Sequence, residues 1–246
     1  MLTAYDFPTA RLLDQCGVDV ILVGDSLGMV VAGHHDTLRV TMDQILYHAE
    51  MVARGCDRAM VVVDLPFPEG QLSIGRTLKS ATRVLQETLA TAVKLEGGAE
   101  QAQRIEAMVT AGVPVMAHVG LRPQNVHVEG GYRVQRDVDR MVGDAVAAEQ
   151  AGAFAVLIEC VTEEVAARIH EAVSVPTIGI GAGGGVSGQV LVTPDLVGWT
   201  VGKVPKFVRQ MANVTEEYRR GVQAYVDAVR ERSFPSWEES FAKKAK

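Results

Sequence analysis

Short apolar runs rich in β-branched residues alternate with longer stretches whose apolar positions recur at helical spacing, and the alternation repeats about eight times along the chain. The runs fall at Met1 to Tyr5, Val18 to Val23, Met60 to Val63, Ala92 to Leu95, Val113 to Ala117, Phe154 to Ile158, Pro176 to Ile180 and Val190 to Val192. Helices are predicted between them at Pro8 to Gln15, Met42 to Arg54, Thr77 to Ala90, Glu100 to Thr110, Asp137 to Glu149 and Glu163 to Val173, with a last one from Lys206 to Arg230. Continuous rather than alternating apolar runs imply strands buried on both faces, as in a parallel sheet covered by helices. About eight such βα units favour a closed (β/α)8 barrel of the TIM type, with a doubly wound open sheet as the alternative. No polar linker or shift of composition divides the 246 residues, so one barrel domain over 1–246 is expected, its end at 231–246 a polar C-terminal tail.

With 48% apolar and 22% charged residues the chain is neither disordered nor fibrous. Its 24 basic and 30 acidic residues leave a net charge of −6, and the short basic end at Lys243 to Lys246 does not offset it, which argues against nucleic acid or an anionic membrane as partner. Cys16, Cys56 and Cys160 have no CxxC spacing, so neither a disulfide framework nor a thiolate zinc site is expected, and a reducing cytoplasmic location fits. The longest uncharged run, Ala172 to Pro194, is interrupted by glycines and prolines and does not read as a membrane span; no signal peptide is expected.

The charged residues raise the picture above a generic barrel. Asp6, Asp25, Asp64, Glu96, His118 and Glu159 each end an apolar run or follow it closely. In a parallel barrel those positions share the C-terminal rim, where each strand delivers a side chain toward a common centre. For any one of them a helix cap is an equal explanation, as for Asp6 before Phe7 to Ala10. Taken together, converging carboxylates with too few basic partners must hold protons or share a cation, and oxygen ligands without a Cys or His cluster point to Mg²⁺ or a similar hard ion. Asp25, Asp64 and Glu96 are the candidate ligands. Lys94, two residues before Glu96, shares its face of the strand and needs an anion, either a bound carboxylate substrate or a neighbouring acid. The glycine-rich stretch Gly179 to Gly188 resembles a phosphate-cradling loop but lacks a nucleotide-binding pattern, and close backbone packing is its expected role.

Eight blocks carry a family resemblance: Leu2-Thr-Ala-Tyr-Asp6, Val23-Gly-Asp-Ser-Leu-Gly-Met29, Asp64-Leu-Pro-Phe67, Lys94-Leu-Glu-Gly-Gly98, His118-Val-Gly-Leu121, Gly130-Gly-Tyr132, Glu159-Cys160 and Ile178-Gly-Ile-Gly-Ala-Gly183. In this order the sequence resembles the 3-methyl-2-oxobutanoate hydroxymethyltransferases, the ketopantoate-forming enzymes of pantothenate synthesis. The resemblance implies a (β/α)8 barrel of the phosphoenolpyruvate/pyruvate-binding superfamily, assembled as a homo-oligomer, usually a decamer. It implies Mg²⁺ held by Asp25, Asp64 and Glu96, a 2-oxo acid bound by Asp25, Ser26, Asp64 and Lys94, and Glu159 as proton acceptor. It also implies 5,10-methylenetetrahydrofolate as the one-carbon co-substrate and 2-dehydropantoate as the product. His118 is either a substrate-orienting or a purely structural histidine, and Cys160 is expected to pack.

Some positions depart from the family pattern. Members carry a leading helical segment before the Thr-Ala-Tyr-Asp strand, and this sequence begins at the strand. Pro68-Glu69-Gly70 stands where an aromatic usually follows, Ser187 where an Asp is usual and Pro194 where a His is usual, and His118 follows Ala117 in place of glycine. Such changes fit a divergent member, or a paralogue performing the same metal-assisted enolisation on another 2-oxo acid. A carbon–carbon lyase or mutase of the same superfamily is disfavoured, because the Lys94 to Gly98 block has no cysteine. A non-catalytic metabolite-binding barrel is disfavoured by the intact acids.

Overall fold

The structure, a computed structural model, describes residues 1–241. It divides into two compact units, Met1–Thr193 and Pro194–Lys246. The first holds an eight-stranded parallel sheet in sequential order: β1 (Leu2–Thr3), β2 (Val20–Val23), β3 (Met60–Asp64), β4 (Ala92–Glu96), β5 (Val115–Gly120), β6 (Ala155–Glu159), β7 (Thr177–Ile180) and β8 (Gly188–Gln189). A parallel bridge between Leu2 and Leu191, with the Thr3 amide donating to the Leu191 carbonyl at 3.2 Å, brings the last strand back to the first and closes the barrel.

The helices of this unit are α1 (Phe7–Gln15), α2 (Leu27–Val30), α3 (Met42–Gly55), α4 (Ile74–Glu87), α5 (Ala102–Thr110), α6 (Val126–Glu129), α7 (Val138–Gln150) and α8 (Glu163–Ala172). Their starts are written in the sequence as caps. Asp6 accepts from the Thr9 amide, Thr41 and Gln44 form a reciprocal capping box, and Ser73, Asp137 and Thr162 each accept from the amide three residues on. Asp6, a rim candidate by sequence, is therefore the cap of α1. The expected α4 starts and ends three residues too late, because Ser73 and not the apolar period sets its first turn.

Strand alternation builds the site. Val61, Val63, Val93, Leu95, Val115 and Ala117 point outward into one core cluster shared with the helices. Leu22, Val62, Ala92, Met116, Ala155 and Leu157 point inward and fill the barrel. Two residues further along the same inward rows, the side chains change from apolar to charged: Val62 leads to Asp64, Ala92 to Lys94 and Glu96, Met116 to His118, and Leu157 to Glu159. The barrel is thus an apolar plug below and a polar mouth above.

The eighth strand differs from expectation. Gly188–Gln189 pairs with β7, and the expected Val190 to Val192 run contributes a buried side chain at Val190 and the single bridge at Leu191. Hydrogen bonding decides this, since a Gly-Gln pair carries no apolar signal to read; a Cβ on Gly188 would lie 3.1 Å from Ile178 Cδ1. Ser187 exchanges backbone-to-hydroxyl bonds of 3.2 Å with Thr177, tying the two strands together at one of the departures from the family pattern. In the glycine-rich stretch Gly183 has φ +79° and a Cβ there would fall 2.8 Å from the Glu163 side chain, a close approach that glycine permits.

α9 (Thr193–Val197) leads into the second unit, whose main element is α10 (Val214–Arg230). α10 begins later than the expected Lys206 because Asn213 caps it and Glu216 and Glu217 occupy its first turn. Within this unit the Met211 amide donates to the Leu196 carbonyl at 2.7 Å, and the rings of Trp199 and Tyr218 meet edge to face. Of the expected tail at 231–246, residues 242–246 lie outside the described residues. Among the described residues no helix is long and apolar enough to cross a membrane.

Candidate active site

The inward charged residues converge at the barrel mouth. Asp25, in the loop after β2, and Asp64 and Glu96, ending β3 and β4, each offer a carboxylate oxygen within 4.8 Å of the other two. Lys94 lies opposite Asp64 in the β3–β4 register, Glu96 opposite His118, and Gly120 opposite Glu159. The three acids, Lys94 and His118 are all 4% exposed or less. Three acids beside one ammonium in so dry a place leave an excess of negative charge that only a proton or a cation can balance.

The ionisation equilibria reflect that excess. Burial, and then the neighbouring Asp64, push the Asp25 carboxyl up to about 8. Burial likewise raises Glu96 well above the ordinary carboxylate range. Burial alone would lower Lys94, but Asp64, Glu96 and Asp25 outweigh it and keep the ammonium charged. Burial and then the charge of Lys94 lower His118, so its ring is neutral at neutral pH.

Lys94 Nζ stands 3.0 Å from Asp64 Oδ2 and 3.0 Å from His118 Nδ1. An ammonium only donates, so the contact needs the Nδ1 lone pair and leaves the ring proton on Nε2. That Nε2 lies 3.3 Å from Glu159 Oε2, off the axis of a hydrogen bond. A row Asp64–Lys94–His118–Glu159 therefore crosses the mouth over β3 to β6. On the other side, the Asp25 amide donates to Asp64 Oδ2 at 3.4 Å. Asp64 Oδ1 and Glu96 Oε1 are buried with no hydrogen-bond partner, so two carboxylate oxygens of the cluster are unsatisfied.

Ser26 follows Asp25 at the start of α2, and its hydroxyl is 2.8 Å from the Tyr5 hydroxyl. Glu159 is partly open, with 18% of its side chain exposed. Beneath it, Gly120 has φ +96° and a Cβ there would meet the Glu159 carbonyl at 2.2 Å, so only glycine lets β5 and β6 approach at this level. Cys160 holds a left-handed backbone, φ 47°. Burial and then Glu159 push its thiol up to about 12, so it stays protonated and non-nucleophilic. The Tyr132 hydroxyl donates to Met29 Sδ at 3.8 Å, linking two of the sequence blocks. The Pro68-Glu69-Gly70 departure is internally satisfied: buried Glu69 accepts from the Ser80 hydroxyl at 2.6 Å, and a Cβ on Gly70 would strike Leu95 at 2.6 Å.

Sequence reasoning brought together Asp25, Asp64, Lys94, Glu96, His118 and Glu159, and the structure places all six at the mouth. It missed Gln124, which donates from Nε2 to Asp25 Oδ2 and to the Leu65 carbonyl, each at 3.0 Å, and from its backbone to Glu96 Oε2 at 3.1 Å. Gln124 lies in a short 3-10 turn, Pro123–Asn125, where neither strand nor helix period marks an inward position. Its offset from the end of β5 was the available signal.

Comparison with known proteins agrees with this reading. The chain is 66% identical over 241 residues to the 3-methyl-2-oxobutanoate hydroxymethyltransferase of Rhodopirellula baltica, covering 98% of this chain and 90% of that one. It is 53% identical over 240 residues to the enzyme of the same name from Desulforapulum autotrophicum, covering 98% and 91%. By fold it is similar to the crystal structure of 2,3-dimethylmalate lyase, a PEP mutase/isocitrate lyase superfamily member, with TM-score 0.62 and 16% identity over 99% of this chain and 86% of that one. It is also similar to phosphonopyruvate hydrolase solved with oxalate and Mg²⁺, with TM-score 0.60 and 14% identity over 97% and 87%. The family profile described as ketopantoate hydroxymethyltransferase matches residues 1–237, and with relatives this similar along nearly the whole chain, the protein belongs to that family of transferases.

Proposed function

We propose that the protein transfers a hydroxymethyl group from 5,10-methylenetetrahydrofolate to 3-methyl-2-oxobutanoate, giving 2-dehydropantoate, with Mg²⁺ at the barrel mouth. The observation that carries the reading is the buried trio Asp25, Asp64 and Glu96, each offering a carboxylate oxygen within 4.8 Å of the other two, beside Lys94, His118 and Glu159. The trio fits a hard cation: the donors are all oxygens, and the cluster lacks a balancing charge. Asp25, Asp64 and Glu96 hold the ion, directly or through water. A bound Mg²⁺ supplies a Lewis acid beside the 2-oxo group, where negative charge accumulates as the C3 proton leaves.

The remaining roles fall to the chain's own residues. The Lys94 ammonium and the Ser26 hydroxyl bind the substrate's oxygens and fix its orientation. Glu159 takes the proton from C3, and the Nε2–H of neutral His118 steadies the receiving carboxylate. Water breaks both bonds from the methylene carbon to the folate nitrogens, its two protons going to those nitrogens as tetrahydrofolate departs and its oxygen staying on the carbon as formaldehyde. The electron pair released at C3 forms the new bond to that carbon, and the proton taken by Glu159 returns to the oxygen as the hydroxyl. The test is deuterium exchange at C3 and folate-dependent hydroxymethyl transfer, measured side by side over a short series of 2-oxo acids. Transfer on 3-methyl-2-oxobutanoate with kcat/KM of about 10⁴ M⁻¹s⁻¹ or more is expected, with other acids at least about tenfold worse. Efficient exchange on that acid without folate-dependent transfer overturns the assignment and favours a paralogue with another donor or acceptor.

The raised carboxyls give the cation a pH dependence of defined sign. Asp25 keeps its proton in the folded, metal-free protein up to about 8, and Glu96 also holds one above its usual range. Folded protein therefore binds protons that unfolded protein has lost, and these two groups lower stability as pH rises from the ordinary carboxylate value of about 4 toward 8. Mg²⁺ must expel those protons, so its affinity should rise about tenfold per pH unit for each proton displaced, levelling off near 8. The difference in Tm between Mg²⁺-loaded and metal-free protein should widen over the same range, because groups away from the trio cancel in it. A difference that does not change with pH over that range would show that the trio is not the metal site.

A further inference from the structure

Gln124 belongs to none of the sequence blocks, yet it is 4% exposed and touches four separate segments at the mouth. Its Nε2 donates to Asp25 Oδ2 at 3.0 Å, after β2, and to the Leu65 carbonyl at 3.0 Å, after β3. Its backbone amide donates to Glu96 Oε2 at 3.1 Å, at the end of β4. Its Oε1 accepts from Gln71 Nε2 at 3.0 Å. Arg104 holds the Gln71 segment in turn, donating to the Leu72 carbonyl at 2.6 Å and to the Gln71 carbonyl at 3.4 Å.

This network fixes which way the amide faces. One Nε2 hydrogen goes to the Leu65 carbonyl, which only accepts, the other to Asp25, which only accepts once it is ionised to hold a cation, and Oε1 receives a donor. Turned over, the amide would set Oε1 against a carboxylate and a carbonyl and would leave the Gln71 amide facing another donor. The direction has a consequence for the acids. A carboxylate whose one oxygen is tied to a protein donor presents the other in a fixed direction. Lys94 ties Asp64 Oδ2 and leaves Oδ1 without a partner; the Gln124 backbone ties Glu96 Oε2 and leaves Oε1 without one. The Gln124 side chain ties Asp25 Oδ2, and does so without charge. A lysine or arginine there would neutralise Asp25 and compete with the cation, whereas an amide orients the carboxylate and leaves its charge available.

We propose that Gln124 is a positioning residue for the divalent cation, orienting Asp25 through Nε2 and Glu96 through its backbone amide, with Gln71 holding the Gln124 amide in the donating direction. The inference rests on the reading of Asp25, Asp64 and Glu96 as cation ligands. Residues of this kind typically contribute 10- to 100-fold to metal affinity.

The test uses the full chain with Mn²⁺ alone as probe, free Mn²⁺ being counted by electron paramagnetic resonance in the absence of substrate. Gln124→Met keeps the length of the side chain and removes both donors, and should weaken Mn²⁺ binding about 10- to 100-fold in protein whose circular dichroism matches the wild type. A merely structural role would lower Tm and leave the Mn²⁺ dissociation constant of the folded protein unmoved, so a change of less than about threefold overturns the proposal. If Gln124→Met yields no folded protein, Gln71→Met decides: it removes the donor to Gln124 Oε1 and should weaken Mn²⁺ by more than about threefold, and a smaller change again overturns the proposal. Wild-type protein that takes up no Mn²⁺ overturns the metal reading itself, whereas tight wild-type binding with an unaffected Gln124→Met overturns only the role of Gln124.

Discussion

Asp64→Asn is expected to abolish metal-dependent binding of 3-methyl-2-oxobutanoate. Asp64 is 1% exposed, with Oδ2 committed to Lys94 and the Asp25 amide and Oδ1 free for a ligand. Asparagine keeps the shape and one acceptor but removes the charge, so the cation loses its central ligand and affinity should fall at least about 100-fold. The metal-free fold should tolerate the change. Removing one partner of a buried ion pair ordinarily costs about 3–5 kcal/mol, because the other charge is stranded. Here the Lys94 charge still faces Asp25 and Glu96, and the charge lost is one that opposes ionisation of both. Titration calorimetry of the acid with and without Mg²⁺ reads the result. If the variant binds the acid as tightly as the wild type under both conditions, Asp64 is not a metal ligand.

The barrel was legible because its strands announce themselves twice, once as apolar runs and again as the charged residue that ends them. Val62 before Asp64, or Ala92 before Lys94 and Glu96, states both the inward row and the height at which it becomes polar. What sequence did not state was set by hydrogen bonding with no apolar period behind it. Gly188–Gln189 forms β8 through backbone pairing alone, and Gln124 reaches the trio from a turn outside any periodic element. The contact of Lys94 with His118 was hidden for another reason. Lys94 follows Asp64 in register and Glu96 faces His118, but the long lysine side chain crosses one level upward to Nδ1, which alternation along a strand does not describe. Asp6 shows the other of the two explanations open to a rim acid, since the helix start claims it as its cap.

Glu159→Gln is the second large effect, and it separates proton abstraction from substrate binding. The carboxylate is the inward residue at the end of β6, 3.3 Å from the proton-bearing nitrogen of His118 and open to the mouth. The structural contributions of this position come from its backbone: the Glu159 carbonyl accepts from the Leu121 amide at 2.8 Å and packs against Gly120, and neither depends on the side-chain charge. Glutamine should therefore fold, bind Mg²⁺ and bind 3-methyl-2-oxobutanoate as the wild type does. It cannot accept the C3 proton, so exchange of that proton with deuterated solvent, followed by NMR, should slow by about 10²- to 10⁴-fold, and hydroxymethyl transfer with it. Loss of transfer with exchange intact would place Glu159 at the folate step. Exchange at the wild-type rate would pass the role of base to another group; neutral His118 is then the first to examine, although Lys94 occupies its Nδ1 lone pair and Nε2 carries the proton.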